Sequence, residues 1–410
     1  MTDAPMQKAR LFMLTCCHFL VDTYATMLAP ILPLIKIKLE LTNAAAGVLG
    51  TIVALIGMSQ PLLGMFADRR HRGHFVIVGL VLAAVFTPML GLAPSFATTV
   101  LALALGGIGV AAFHPSSFAI AGDLSGPRRA FGLALFIFGG TIALGLTPLW
   151  ITRFAGTLGL RQLPWLTVPG LVVALAMTRM VPDESPHRRT QNFRGMLQVL
   201  APHRNTLLLI TGIVTLRSIT SISFSTFLAV LEYERGVDAS EAGRVPLSIY
   251  LISGVAGSLV AGYLADRVNT KPLVWGGILL SAPLLYGYLA LPEGWAVNMP
   301  VLAGWGEYLP KLERFVAYVL LGLGGAMILS SNSVLVALAQ EMAPNNASLV
   351  SSLPQGFAWG LGGMFLPLVG HMADHIGMHQ TLSYLALLPV GTAALALLLP
   401  SGSRRAGPPA

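Results

Sequence analysis

The chain of 410 residues is 55% hydrophobic and only 10% charged, with a mean hydropathy of +0.74, a balance that excludes an ordinary soluble globular domain. Its formal charge of +8 would suit a nucleic-acid binder in a soluble protein, but the bases stand in short segments between long apolar runs, where they set membrane topology. Cys16 and Cys17 are adjacent inside an apolar run, which excludes a disulfide framework and reads as packing.

A membrane-crossing helix needs about 20 mostly apolar residues. Runs of that kind are predicted at about 11–35, 44–67, 74–93, 96–121, 130–156 and 162–181, then at 205–231, 241–265, 272–292, 314–340, 348–373 and 378–399. The first is too long for a signal-peptide core and has no small-residue cleavage site, so it is expected to remain as the first span. The pattern predicts an all-α polytopic membrane protein of twelve spans: an N-terminal six-helix bundle over 1–181, a polar cytoplasmic linker over 182–204, and a C-terminal six-helix bundle over 205–410. A long external loop is expected at 292–313, with Trp295, Trp305 and Tyr308 suggesting an interfacial segment. Placing both termini in the cytoplasm puts sixteen bases inside against eight outside, the bias that fixes orientation in multi-pass proteins.

The charged turn between the second and third runs, Gly64-Met65-Phe66-Ala67-Asp68-Arg69-Arg70-His71-Arg72-Gly73, recurs 198 residues later as Gly262-Tyr263-Leu264-Ala265-Asp266-Arg267 followed by Lys271. Glycine admits a neighbouring backbone, the carboxylate accepts from amides at the start of another helix, and the guanidinium pairs with an acid. A matched pair at this separation implies two similar halves and a latch that can be made and broken. Further on, Gly106-Gly107 with His114 and Asp123 matches Gly324-Gly325 with Asn332 and Glu341.

The repeated turn, the twelve spans and the six-plus-six layout resemble the major facilitator superfamily. His18-Phe19-Leu20-Val21-Asp22 with Pro30 and Pro33, Phe113-His114-Pro115 with Gly139-Gly140 and Pro148, and Ala339-Gln340-Glu341 with Pro344 resemble, more narrowly, the fosmidomycin resistance protein family of bacterial drug exporters. The chain departs from that family at Ser116, where an acid often follows Phe-His-Pro, and at Thr141, where an asparagine often follows the paired glycines; a different substrate is compatible with both. The resemblance implies two bundles around a central cavity that rock between inward-open and outward-open states. It also implies that Arg72 pairs with Asp123 in the outward-facing state, that Asp68 faces the start of the eleventh helix, and that Arg267 and Glu341 repeat the arrangement. Gly64, Asp68, Arg69, Arg72, Asp123, Gly262, Asp266, Arg267 and Glu341 are thus candidate gating residues.

An Asp or Arg at mid-helix costs about 2.5–3.5 kcal/mol on insertion scales, so each such residue needs a reason to be there. His18 and Asp22 stand four apart on one face of the first helix, close enough to pair. Asp22 is the first candidate for proton coupling, with His18 its partner; a static pair pinning the first helix is the alternative. His114, before Pro115, is a candidate for proton or substrate contact, or for a bond to a backbone carbonyl. Arg217, among Thr215, Ser218, Thr220, Ser221, Ser223 and Ser225, suits a carboxylate or phosphonate, or else bridges to Asp22. Tyr24, Asn332, Gln355 and Trp359 are further candidate substrate-binding residues. Glycine and proline in the fifth and eleventh spans permit close packing or bending.

His371, His375 and His379 recur at helical spacing but read as a polar helix end rather than a metal site. No phosphate-binding Gly-Lys-Ser/Thr loop appears. The expectation is a monomeric, inner-membrane secondary transporter, not an enzyme, with no cofactor, no metal and no nucleic-acid partner. Its partners are protons, the lipid bilayer and a small-molecule substrate, most simply a drug or toxic metabolite exported by proton antiport. Proton-linked uptake of an organic anion is the alternative within transport; a non-transporting receptor or a lipid-acting polytopic enzyme are the alternatives outside it.

Overall fold

The computed structural model describes residues 5–68, 71–180, 201–265, 267–291, 294, 296, 298, 308–342, 350 and 353–400. Among these, ten helical stretches are long and apolar enough to cross a membrane: Lys8–Lys38, Asn43–Gly64, Arg72–Gly91, Phe96–Leu124, Phe131–Leu158, Leu160–Met177, Ala201–Glu234, Val245–Ala265, Thr270–Ala290 and Leu309–Met342. Residues 353–376 form an eleventh span in pieces, Leu353–Phe357, Ala358–Gly363 and Leu366–Ile376, and Met378–Ala396 is the twelfth. Backbone polar groups in lipid must be satisfied within each segment, and helices achieve this.

The expected spans are therefore all present, with irregularities that the apolar runs conceal. The first span breaks between Ala25 and Leu28, and the second between Gly57 and Gln60. The second starts at a Thr42 cap whose side chain accepts from the Ala45 amide, and the fourth starts at a capping box of Ser95 and Thr98. Pro33, Pro115, Pro148, Pro283 and Pro389 lie inside helices. Of the expected linker, only the turn Ala201–His203 and Arg204 are described; 182–200 lies outside the described residues, as does most of the 292–313 loop.

Spans one to six form one bundle and seven to twelve the other. Within the first, Gln7 N–H donates to Leu124 O and Tyr24 Oη donates to Leu166 O at 2.7 Å. The two bundles meet along three seams: the first span on the seventh, the second on the eleventh, and the fifth on the eighth. The face that holds Lys8 is called here the near face and the other the far face. The bundles close tightly at the far face, where Lys36, Asn43 and Ala44 meet Glu234 and Asp374.

Small residues set the packing inside each bundle. A Cβ at Gly109 would lie 2.5 Å from Gly79 O and 2.7 Å from Ala83 N, both backbone atoms of the third span. Gly109→Val therefore forces the third and fourth spans apart, and overpacking of this kind costs about 1–3 kcal/mol. Thermal unfolding of the purified variant in detergent is expected to show a lower midpoint than the parent.

Candidate functional site

Asp22 sits near the break in the first span and is 8% exposed. Its Oδ2 lies 3.3 Å from His18 Nε2, one turn earlier, and its Oδ1 lies 3.0 Å from His114 Nε2 on the fourth span. The expected pair is thus a cluster of three. Both imidazoles are anchored through their other nitrogen: His18 Nδ1 lies 2.8 Å from Phe136 O and His114 Nδ1 lies 2.9 Å from Val110 O. The His18 ring stacks on Phe136 at 4.2 Å between centroids, which fixes its plane.

These anchors fix the proton inventory. A carbonyl oxygen only accepts, so each Nδ1 carries a hydrogen. Each Nε2 then turns a lone pair toward the carboxylate unless a further proton is present. With Asp22 ionised and both rings neutral, lone pairs face lone pairs; with two protons added, both contacts become hydrogen-bonded or ionic. The cluster can hold two protons, and its compactness depends on them.

Tyr24 and Ala25, just beyond Asp22, line a cleft together with Gln60, Thr87, Val110 and Ala111. Val110 is the residue whose carbonyl holds His114. The cleft therefore adjoins the cluster, and Tyr24 takes part in it through its ring while its hydroxyl is committed to Leu166 O.

Arg217 occupies a different environment. It is 0% exposed, in the middle of the seventh span. Its Nη1 donates to Ile328 O at 3.2 Å and its Nη2 to Asn332 Oδ1 at 3.4 Å, while its Nε has no partner. The Trp359 ring centroid lies 5.5 Å from its Cζ, a cation–π contact. The hydroxyls of Thr215, Ser218, Ser221, Ser223 and Ser331 are also buried without a partner. No described carboxylate pairs with Arg217, and Asp22 is taken by the two histidines, so the bridge between the halves is not formed here. Asn332 and Trp359 thus lie beside Arg217, whereas Gln355 is exposed on the π-helical turn Leu353–Phe357.

At the near face, Arg72 Nη1 lies 3.6 Å from Asp123 Oδ2. The pair forms here together with the closed far face. Gly64 approaches Pro115 and Gly262 approaches Ser333, so the two repeated glycines each face the fourth helix of their own half. Arg267 departs from the expectation: it lies over the Tyr263 ring at 3.6 Å and donates to Tyr263 O. Tyr263, near the end of the preceding helix, thus holds the guanidinium from the turn that follows, and Glu341 is not without a partner. Arg69, Asp266 and the side chain of Asp68 lie outside the described residues.

Sequence reasoning does not reach the far-face acids. Asp374 accepts from Asn43 N–H at 2.7 Å and from Ala44 N–H at 2.9 Å, across the seam between the second and eleventh spans. A signal for it exists: Pro367-Leu368-Val369-Gly370-His371-Met372-Ala373-Asp374 repeats the pattern of Pro61-Leu62-Leu63-Gly64-Met65-Phe66-Ala67-Asp68.

The Major Facilitator Superfamily profile matches residues 14–367. The chain belongs to this superfamily. Its relatives include the uncharacterised MFS-type transporter YfnC of Bacillus subtilis, 27% identical over 414 residues, covering 96% of this chain and 93% of that one. The fosmidomycin resistance protein of Escherichia coli is 25% identical over 399 residues, covering 95% and 92%. Among solved structures, a bacterial homologue of the human lysosomal transporter Spinster, in an inward-facing and occupied conformation, superposes with a TM-score of 0.76 at 17% identity, covering 97% of each chain. The superfamily member is a transporter and not an enzyme, and it fits a multi-pass inner-membrane protein.

Gly140 provides a test of the cluster. A Cβ there would lie 2.3 Å from Asp22 Oδ2 and 2.5 Å from His18 Nε2. Displacement at a cost of about 1–3 kcal/mol converts to a roughly tenfold to hundredfold loss of the compact arrangement. Gly140→Ala is expected to lower the initial rate of transport accordingly in vesicles, at unchanged protein content by immunoblot.

Proposed function

We propose that this transporter exports a small organic anion in exchange for protons, by alternating access, from an inner membrane in which both termini are cytoplasmic. The observation that carries the substrate class is Arg217: a fully buried guanidinium with an unpartnered Nε and no carboxylate beside it among the described residues. A buried cation left unpaired is costly, and a carboxylate or phosphonate arriving from the cavity would complete it. Trp359 and the unpartnered hydroxyls around Arg217 suit a ligand with an apolar body and a polar head.

Asp22, His18 and His114 are assigned to the proton. They stand in one bundle and Arg217 in the other, so a rocking motion that reshapes the cavity bears on both occupants at once. Proton loading from outside and substrate binding from inside then favour opposite orientations, which is the requirement for exchange. Each chain holds both parts, so a monomer suffices. Export is supported by near full-length likeness to the fosmidomycin resistance protein. Proton-linked uptake is the second reading, favoured by Arg217 and by relatives named as a 3-(3-hydroxy-phenyl)propionate transporter and a benzoate transport protein.

Purified protein in vesicles with an imposed pH gradient separates these readings. Fosmidomycin, benzoate and a lipophilic cation are the probes, and proton movement is followed with a pH-sensitive dye. Exchange with one of the anions, absent in Asp22→Asn, is the expected result; movement of proton and anion in the same direction would replace export by uptake. Transport of the cation alone would overturn the anion assignment.

Arg217→Lys keeps the charge but loses the planar fork, while Arg217→Gln loses both. The expected order of apparent anion affinity is parent, then Arg217→Lys, then Arg217→Gln. The last should be weaker by roughly tenfold to a hundredfold, the factor that a charge-assisted hydrogen bond of about 1.5–3 kcal/mol supplies. Equal affinity in all three would remove Arg217 from the substrate site.

A further inference from the structure

At the far face, the second span begins at Asn43, and its first three amides all have acceptors. The Ala45 amide is taken by the Thr42 side chain of the same turn. Those of Asn43 and Ala44 are taken by the two oxygens of Asp374, which belongs to the other bundle. Two of these three amides are therefore capped from across the seam along which the bundles must part. A helix start presents unsatisfied N–H groups and positive potential, so a carboxylate is the group best suited to hold it.

The approach is too close for side chains to have intervened. A Cβ at Gly370, one turn before Asp374, would lie 2.1 Å from Asn43 O, and a Cβ at Gly47 would lie 2.3 Å from Leu366 O. Backbone meets backbone at both places. Beside them, Glu234 at the end of the seventh span accepts from Met378 N–H at 3.3 Å and from Asn43 Nδ2 at 3.4 Å, with Lys36 Nζ at 3.8 Å. Lys36 also donates to Asn43 Oδ1. Two acids of the C-terminal bundle thus clasp the end of the first span and the start of the second.

The sequence supplies an independent observation. The run Pro-Leu-x-Gly-x-x-Ala-Asp closes the second span at Pro61–Asp68 and the eleventh at Pro367–Asp374. These two spans run antiparallel along one seam, so the two runs lie at opposite faces of the membrane. In the eleventh span the terminal aspartate reaches the start of the second. The resemblance drawn from the sequence has the terminal aspartate of the second reach the start of the eleventh.

We propose that Asp374 and Glu234 form the far-face gate of the transport cycle, with Asp374 holding the first turn of the second span through its backbone amides and Gly370 admitting that contact. The clasp breaks when the cavity opens on this side and reforms when it closes. Asp374 is exposed, and water can replace its partners once the bundles part, which suits a contact that opens in each turnover better than a buried pair would. The proposal rests on the alternating-access reading but not on the identity of the coupling ion or the substrate.

Spin-label distances test it without any substrate or gradient. Labels are placed through Thr157→Cys in the first bundle and Gln380→Cys in the second, both exposed at the far face, in a chain carrying Cys16→Ser and Cys17→Ser. Asn43→Pro deletes the amide that Asp374 accepts; proline is tolerated at the first helical position, and Thr42, at φ −69° and ψ 163°, already has the extended backbone that a residue before proline requires. Asn43→Ala removes the same side chain and keeps the amide.

The expected result is a new long-distance population in Asp374→Ala. The open-to-closed ratio should rise roughly tenfold or more, as loss of a charge-assisted bond implies. Asp374→Asn, which keeps an acceptor oxygen, should shift it less. Asn43→Pro should exceed Asn43→Ala, and should add nothing in the Asp374→Ala background. Parental distances in Asp374→Ala would overturn the gate, as would indistinguishable distributions for Asn43→Pro and Asn43→Ala. If Asp374→Ala does not fold, Asp374→Asn and the Asn43 pair decide the question on the same measurement.

Discussion

A charge placed among apolar helices must find a partner or remain costly, and the architecture of this transporter follows from how it meets that requirement. Asp22 is met within its own bundle by two imidazoles whose orientation is set by backbone carbonyls. Arg217 is met only by neutral groups, a carbonyl and an amide oxygen. The first arrangement is complete when protons are present; the second leaves a fixed positive site. Asp22 lies one turn before a break in its span, where polar chemistry can be reached from a cavity, whereas Arg217 lies in the middle of an unbroken helix.

The two bundles divide the chemistry and share the motion. Within a bundle, glycines at the crossings bring backbones so close that the spans behave as a unit. Between bundles, the charged contacts Lys36–Glu234 and Asp374 with the Asn43 and Ala44 amides stand at helix ends, while the seam itself continues along the helices, as where Thr51 Oγ1 donates to Gly363 O. A rigid interior with breakable ends is the combination that a rocking mechanism needs: small changes at the ends select between whole-bundle orientations, since the packed interiors do not deform gradually.

Much of this was legible in the chain. Twelve apolar runs separated by basic turns give the helices, because a bilayer leaves the backbone no other solution. The doubled Gly-x-x-Ala-Asp-Arg turn gives the two halves. Asp22, His18, His114 and Arg217 stand out for the plain reason that ionisable residues are rare in such runs. Less legible was which of them meet: His114 is 92 positions from Asp22, and no local period relates them. Arg267 shows the reverse error, where a repeated motif promised a repeated pairing and Tyr263 took the guanidinium instead.

The sequence by itself determined the class of molecule, its helices, its internal duplication and the short list of chemically active residues, all of which follow from composition and local spacing under the demands of a low-dielectric solvent. Only the tertiary structure decided that Asp22 has two histidine partners, that Arg217 has no acidic one among the described residues, and that Asp374 belongs to the start of the second span. Those facts depend on how helices distant in sequence cross, and the crossing is set by the fit of glycines against particular backbone atoms, as at Gly109 and Gly370. Such fit is a property of two surfaces together, and one surface does not encode it.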